Sequence, residues 1–376
     1  MTTSGNRIYA PPRRPYYVEA PPYRRTSAGI KVLHLLCHTL NLIGEEAYVT
    51  TDSVNPALRT PTITAEVVRR HLEAGVEPIV VYPEVVKGNP RNARSVVRYL
   101  LNRAGMIGGD EVHDDTELVF AFGRNILPEG GDPENVLFLP PTDTRIFHNQ
   151  DNPLDDKREG ILLYAGRHID HIGEHPELAA RATLITSTWP ETHEALAELF
   201  RRSEAVYCFE STSLALEALL CGCPAIILPS PSFRGDAIST SELGRDGLAF
   251  NTGPEEIAFA YRTVGKMWDN YRAAEERFWH QLDHFVATTQ DMPVQEALPA
   301  LPANAAQKAE EKKVYATWRH RQTLQEIDAQ ILAERMMLEW QQRPGIHLLL
   351  TLHRGEEPLL ADTLDSLAAQ LYPEWR

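Results

Sequence analysis

Residues 205–228 read AVYCFESTSLALEALLCGCPAIIL, an almost unbroken apolar run carrying two carboxylates, Glu210 and Glu217, with hydroxyls between them. Glu217 stands inside LALEALL, where an unpartnered buried carboxylate is costly, so it must be ion-paired or must accept hydrogen bonds. An ionised carboxylate only accepts, and its two oxygens can bridge vicinal sugar hydroxyls. Ser211, Thr212 and Ser213 are helix N-cap types, and Gly222 and Pro224 are stop signals. The spacing therefore predicts a strand over 205–209, a helix opening near Ser213 and a strand over 225–230. In an open α/β sheet the helix start that follows a strand faces the ligand crevice. Its free N–H groups suit a phosphate, and three hydroxyls add donors. Glu217 falls one turn deeper on the same helix face as Ser213. A phosphate at the cap with a diol one turn away describes a nucleotide diphosphate. An ion pair between Glu217 and an arginine is the structural alternative, and helix physics leaves both open.

Such a helix needs a strand on either side, and the chain repeats that pattern. KVLHLLCH (31–38), EPIVVYPE (77–84), TELVFAFG (116–123) and ENVLFLPP (134–141) have the length of buried strands, while ITAEVVRRHLEAG (63–75) and ARSVVRYLLNRAG (93–105) predict helices with glycine stops. After the polar stretch HNQDNPLDDKRE (148–159) the alternation restarts with strands in GILLYAGR (160–167) and ATLITS (182–187) and a helix in ETHEALAELFRRS (191–203). This predicts an α/β fold of two Rossmann-like, doubly wound domains, 29–150 and 151–286. The second ends in helix over 254–286, whose Trp268, Tyr271, Phe278 and Trp279 are expected to face the core.

The flanks read differently. Residues 1–28, rich in Pro, Tyr and Arg, predict a solvated tail whose basic charge could meet an anionic membrane or a partner. Residues 287–309 form an Ala/Pro/Gln-rich linker, and a helix is expected over 313–342. Residues 343–376 hold one strand-like and one helix-like stretch, too little for a core of their own.

Composition excludes several classes. A chain of 376 residues with 43% apolar and 24% charged residues is long enough for two domains with buried cores. A formal net charge of −15 offers no basic field for nucleic acid, so an anionic ligand must be held by local donors. Four cysteines, Cys37, Cys208, Cys221 and Cys223, make no disulfide framework and suit buried thiols in a reducing cytoplasm. No metal-ligand spacing, no Gly-x-Gly-x-x-Gly and no Gly-Lys-Ser/Thr phosphate loop occurs. No run of about 18 apolar residues or signal-peptide core is present, so a cytoplasmic protein is expected, peripheral to the inner membrane face at most.

Tyr164-Ala-Gly-Arg167 and Glu217-Ala-Leu-Leu-Cys-Gly-Cys-Pro-Ala225, with YPEVVKGNPRNARSVVRYLLNRAG (82–105), resemble GT-B-fold glycosyltransferases of the family 4 type and their rhamnosyltransferase-like relatives. The resemblance covers about residues 30–285. It implies two Rossmann-like domains facing a cleft, the first taking the acceptor and the second the nucleotide-sugar donor. It further implies that Glu217 binds the ribose, that Arg167 beside Gly166 neutralises the diphosphate, and that Glu210 meets the sugar. Ser211, Thr212 and Ser213 would complete the donor site. His38, Gly44 and Glu45, in LCHTLNLIGEEAYV (36–49), occupy the place of the loop after the first strand, with His38 a catalytic candidate. A lone histidine there is more often structural. No cofactor or metal is implied, since the nucleotide diphosphate sugar is the substrate. The acceptor would be a growing surface glycan or lipid-linked glycan, and transfer would retain configuration.

Two departures stand out: six residues separate Glu210 from Glu217 where the family has seven, and His168, His171 and His175 occupy the stretch that carries the family's lysine. They favour the alternative of a non-catalytic GT-B module that binds glycan or scaffolds a neighbouring transferase. A nucleotide-sugar epimerase of the same fold is a third reading. RPGIHLLLTLHRGEEPLLADTLDSLAAQLYPEW (343–375) resembles the opening strand and helix of a family 2, GT-A-fold glycosyltransferase, which implies the front part of a larger multi-transferase chain.

Overall fold

The computed structural model describes residues 12–24, 27–149, 157–166, 169–186, 188–209, 212–228, 239–295 and 357–368, with a few isolated positions before the last segment. The chain divides into two compact units, residues 1–298 and 299–376. In the second, the described element is one helix over Glu357–Ala368, which coincides with the helix expected from Pro358 onward. The strand expected over 345–354 and the helix over 313–342 lie outside the described residues, apart from isolated positions.

The first unit contains two parallel five-stranded sheets. Strands β1 (Tyr16–Val18), β2 (Ala47–Val49), β3 (Ile79–Pro83), β4 (Val96–Leu100) and β5 (Leu118–Ala121) lie in the order β2-β1-β3-β4-β5. Strands β6 (Ile161–Tyr164), β7 (Ala182–Ile185), β8 (Ala205–Cys208), β9 (Ala225–Ile227) and β10 (Leu248–Ala249) lie in the order β10-β9-β8-β6-β7. Numbered within each sheet, both orders are 2-1-3-4-5, so two copies of one doubly wound topology form the unit. The α/β architecture of two Rossmann-like domains is as expected.

Four expectations about elements are corrected. KVLHLLCH is not a strand: it lies within α1 (Ala28–Leu42), whose buried Val32, Leu33, Leu36, Cys37 and Leu40 recur at helical spacing. Eight residues were too short a window to separate that period from a continuous run. The first strand instead comes from the stretch expected as a tail. Tyr16, Tyr17 and Val18 sit between Pro15 and Pro21, and the strand is hydrogen-bonded to β2 on one side and β3 on the other. Arg13 and Arg14 are tied down as well, Arg13 to Glu45 and Arg14 to the carbonyls of Glu77 and Met292. SVVRYLL forms β4 and not a helix. Arg98, nearly inaccessible in mid-strand, is satisfied by a two-pronged contact to Glu117 (2.9 and 2.7 Å) and by the Val86 and Gly88 carbonyls.

ENVLFLPP is extended and not a ladder strand; it touches β5 through one isolated bridge, Ala121 to Val136. Its alternation serves two cores, with Leu137 and Leu139 in the first domain's and Phe138 in the second's. The expected helix over 254–286 is α7 (Pro254–Thr263), a short 3-10 turn and α8 (Met267–Asp291). Along α8, Met267, Tyr271 and Ala274 pack in the second core and Phe278, Leu282, Phe285 and Val286 in the first, so one stripe ties both domains together. Tyr271 and Phe278 are buried as expected, whereas Trp279 is 46% exposed. Cys37, Cys208, Cys221 and Cys223 are free and buried; burial pushes the Cys37 and Cys221 thiols up to about 12, so they are unreactive at neutral pH.

Candidate functional site

Register builds the site. In the second sheet β6 pairs with both β7 and β8, and Tyr164 lies directly across from Cys208. The order reverses between β6 and β8, so their carboxyl ends form the switch-point crevice. Two loops leave that crevice side by side. The first contains Gly166, with φ +56, a left-handed conformation that glycine adopts without strain. The second leads to α5 (Ser213–Leu220).

The sequence dictates both ends of α5. Thr212 is the N-cap and its hydroxyl accepts from the Leu214 N–H at 3.3 Å. At the other end Gly222, φ +73, closes a Schellman motif: Cys223 N–H donates to Ala218 O and Gly222 N–H to Leu219 O, both at 2.9 Å. Pro224 then releases β9. Between these ends Leu214 to Leu220 are all buried, Glu217 among them.

Glu217 is satisfied by a partner that sequence reading did not name. Lys31 Nζ, from α1 of the first domain, lies 3.1 Å from Glu217 Oε1, and both side chains are only 7% exposed. The pair is an ion pair, as the structural alternative required, but with a lysine from the other domain. It stands in the wall of a crevice. Thr212, Ser213 and Glu217 line one recess with Tyr164, Trp189 and His193. His193 also lines an adjoining cleft of about 690 Å³ whose walls include Lys31, His38, Asn55, Asp143 and Phe147. The two cavities thus share a wall, formed by His193 and the Lys31–Glu217 pair.

Of the predicted site residues, Thr212, Ser213 and Glu217 are brought together, and Gly166 follows the strand that carries Tyr164. Arg167, Glu210 and Ser211 lie outside the described residues, as does His168. His38 is not on a loop after a first strand; it sits in α1, seven residues after Lys31, on the face that lines the cleft. Its Nδ1 accepts the Arg59 N–H at 2.8 Å, which places the proton of the neutral ring on Nε2. Gly44 and Glu45 are removed from the crevice. They follow the C-terminus of α1, where Tyr16 N–H bonds the Glu46 carbonyl, hence at the strand-start edge of the first sheet. Glu45 is buried there against Arg13 and Gln290, and Gly44 is an exposed helix stop with φ +92. A helix that returns from the crevice carries its far end to the opposite edge of the sheet. Lys31 and His193 went unnamed because only the assembled α1 and α4 (His193–Arg202) point them at α5; the available signal was a lone cation in an apolar run. Among the described residues no group of three His, Cys, Asp or Glu could hold a metal ion. None of the described helices is long and apolar enough to cross a membrane.

Burial holds His34, His38 and His113 below the ordinary histidine range, helped by Arg59 beside His38 and Arg98 beside His113. A histidine depressed in the fold contributes its full stability above its unfolded value near 6.5 and loses it as pH falls below that point. Glu84, raised by burial, acts in the opposite sense. The urea midpoint is therefore expected to drop between pH 7.5 and 5.5, and to drop less in His34→Gln. An equal drop in the two proteins rules this origin out.

No known family model matches the chain, and no curated protein matches it. Solved structures do. WaaG, a glycosyltransferase involved in lipopolysaccharide biosynthesis, aligns over 74% of this chain and 99% of its own at 10% identity and TM-score 0.40. The spinosyn rhamnosyltransferase SpnG complexed with thymidine diphosphate aligns over 79% and 100% at 13% identity and TM-score 0.33. A UDP-GlcNAc 2-epimerase from Neisseria meningitidis bound to UDP-GlcNAc aligns over 80% and 100% at 11% identity and TM-score 0.28. Likeness at this level assigns no residue and no substrate.

Proposed function

We propose that this chain is a glycosyltransferase that moves a sugar from a nucleotide diphosphate donor to a glycan acceptor. The observation that carries the reading is one recess at the β6/β8 switch point, which joins the start of α5 at Thr212 and Ser213 to the carboxylate of Glu217 one turn deeper. Helix N–H groups and hydroxyls suit the phosphates, and the acceptor-only carboxylate suits ribose hydroxyls. Arg167, which follows Gly166, is proposed to neutralise the departing diphosphate, and Glu210 and Ser211 to reach the sugar. The adjoining cleft, with His38 in its wall, would take the donor sugar and the acceptor hydroxyl. Domain closure over this cleft would exclude water from a donor prone to hydrolysis. Retention of configuration, a surface or lipid-linked glycan as acceptor and a cytoplasmic location belong to this proposal.

The buried Lys31–Glu217 pair favours a second reading, in which the site no longer turns over and the module binds glycan or positions a neighbouring transferase. Titration and hydrolysis with a panel of nucleotide sugars separate the two. The transferase reading expects binding of at least one donor, slow hydrolysis, and loss of both in Glu217→Ala. Absence of binding by any nucleotide sinks it. Ser213→Asp gives a sharper test. A carboxylate in the first turn of α5 gains about 0.3–1 kcal/mol from the helix dipole, and its like charge with Glu217 four residues on offsets about 0.2–0.5 kcal/mol of that, so stability is expected to stay close to wild type. The same charge repels a diphosphate, so affinity for a nucleoside diphosphate falls about 100-fold while that for the nucleoside is kept. Equal losses for both ligands would place the phosphates elsewhere.

A further inference from the structure

Lys31 is in an unusual place for a lysine. It stands in the first turns of α1, a fifteen-residue helix with no acidic residue in its first turn, where the helix dipole already supplies positive charge. A cation there is disfavoured locally, and burial to 7% side-chain exposure adds a desolvation cost. Among the described residues its ammonium has one acceptor, Glu217 Oε1 at 3.1 Å. An ammonium carries three N–H donors, so this contact uses a third of its capacity. The remaining donors belong to a side chain that lines the 690 Å³ cleft. Arg145, the other cation in that lining, is already neutralised by the Asp143 carboxylate, to which it donates at 2.9 and 2.7 Å. Across the shared wall lies the start of α5 at Thr212 and Ser213. The Asp143 carboxylate in the same lining is taken up by Arg145, so the Lys31 ammonium and the start of α5 lie next to one further carboxylate, Glu217. Local violations of helix electrostatics are expected at functional or strained sites.

We propose that Lys31 is the phosphate-binding cation of this cleft, supplied by the first domain to a ligand whose nucleoside is held by the second. The inference rests on the nucleotide-donor reading above and goes beyond it. Glu217 and a phosphate compete for the same ammonium. When the carboxylate turns its oxygens to ribose hydroxyls, the Lys31 donors pass to the diphosphate oxygens, so charge stays balanced while the partners change. Lys31 thereby makes diphosphate recognition depend on both domains being in contact.

The test uses the full chain, with UDP, dTDP, GDP, ADP and CDP and the matching nucleosides as calorimetric probes. The readout is the ratio of nucleoside to nucleoside diphosphate Kd for the best-binding pair. Because Lys31→Met alone would strand a buried carboxylate, the comparison is between Glu217→Gln and the double variant Lys31→Met/Glu217→Gln, each checked by thermal melting. Glu217→Gln is expected to weaken the nucleoside but to keep or raise the ratio, since it frees the ammonium. The double variant is expected to lower the ratio about 10- to 100-fold, the worth of a hydrogen bond to a charged group. A ratio equal in the two variants overturns the role of Lys31 and leaves the nucleotide reading standing. Failure of the wild-type chain to bind any of the ten probes overturns both.

Discussion

Glu217→Ala is expected to lower the unfolding free energy by about 3–5 kcal/mol, because it leaves the Lys31 ammonium buried without its carboxylate. The loss is not the net worth of the ion pair. Two charges taken out of water recover little more than their desolvation, whereas one stranded charge recovers nothing. The matched double variant Lys31→Met/Glu217→Leu, apolar and of similar volume, is therefore expected within about 1–2 kcal/mol of wild type. Urea unfolding of wild type, Lys31→Met, Glu217→Leu and the double variant measures this, with a coupling between the positions of about 3 kcal/mol or more expected. Additive single losses would mean that the two side chains do not meet across the domains in solution. The stability effect is independent of any ligand, so it tests the geometry of the site apart from its proposed chemistry.

Phe285→Ala is expected to be comparably damaging, at about 3–5 kcal/mol, the usual cost of emptying a buried phenylalanine site. Phe285 is inaccessible on α8 and meets Phe120 of β5 edge to face at 4.8 Å, with the Tyr16 ring at 6.0 Å. Trp279, on the same helix but outside the stripe, is 46% exposed, and Trp279→Ala is expected to cost less than about 1 kcal/mol. The contrast matters because α8 carries residues of both cores, so a cavity at Phe285 loosens the helix that also bonds Thr142 through Tyr271. Similar costs at the two positions would show that the stripe does not bear the packing assigned to it.

The residues that were legible in the sequence are those whose signals are local. The Thr212 cap, the Gly222 stop and the Pro224 release specify α5 within a dozen residues, and the structure shows each with its hydrogen bonds. The strands at 161–164, 182–185, 205–208 and 225–227 and the helix from His193 were legible for the same reason, whereas the short helix Pro176–Arg181 and β10 were not read. The first domain was read less well. Tyr16–Val18 is too short to announce itself, and it is a strand because β2 and β3 hold it from both sides. β4 hid behind Arg98, a charge that only the distant Glu117 and the turn at 86–88 make tolerable in a buried strand.

By itself, then, the sequence determined that Glu217 must have a partner, that it lies one turn inside a helix opening at a strand end, and that two α/β halves surround it. Burial and periodicity suffice for that, because both act over a few residues. The partner's identity was decided only by tertiary structure. Lys31 and Glu217 are 186 positions apart, in different domains, and nothing local to either one encodes the other. The docking of the two domains, with α8 seated in both cores, brings the ammonium of α1 and the carboxylate of α5 to 3.1 Å at the edge of a cleft.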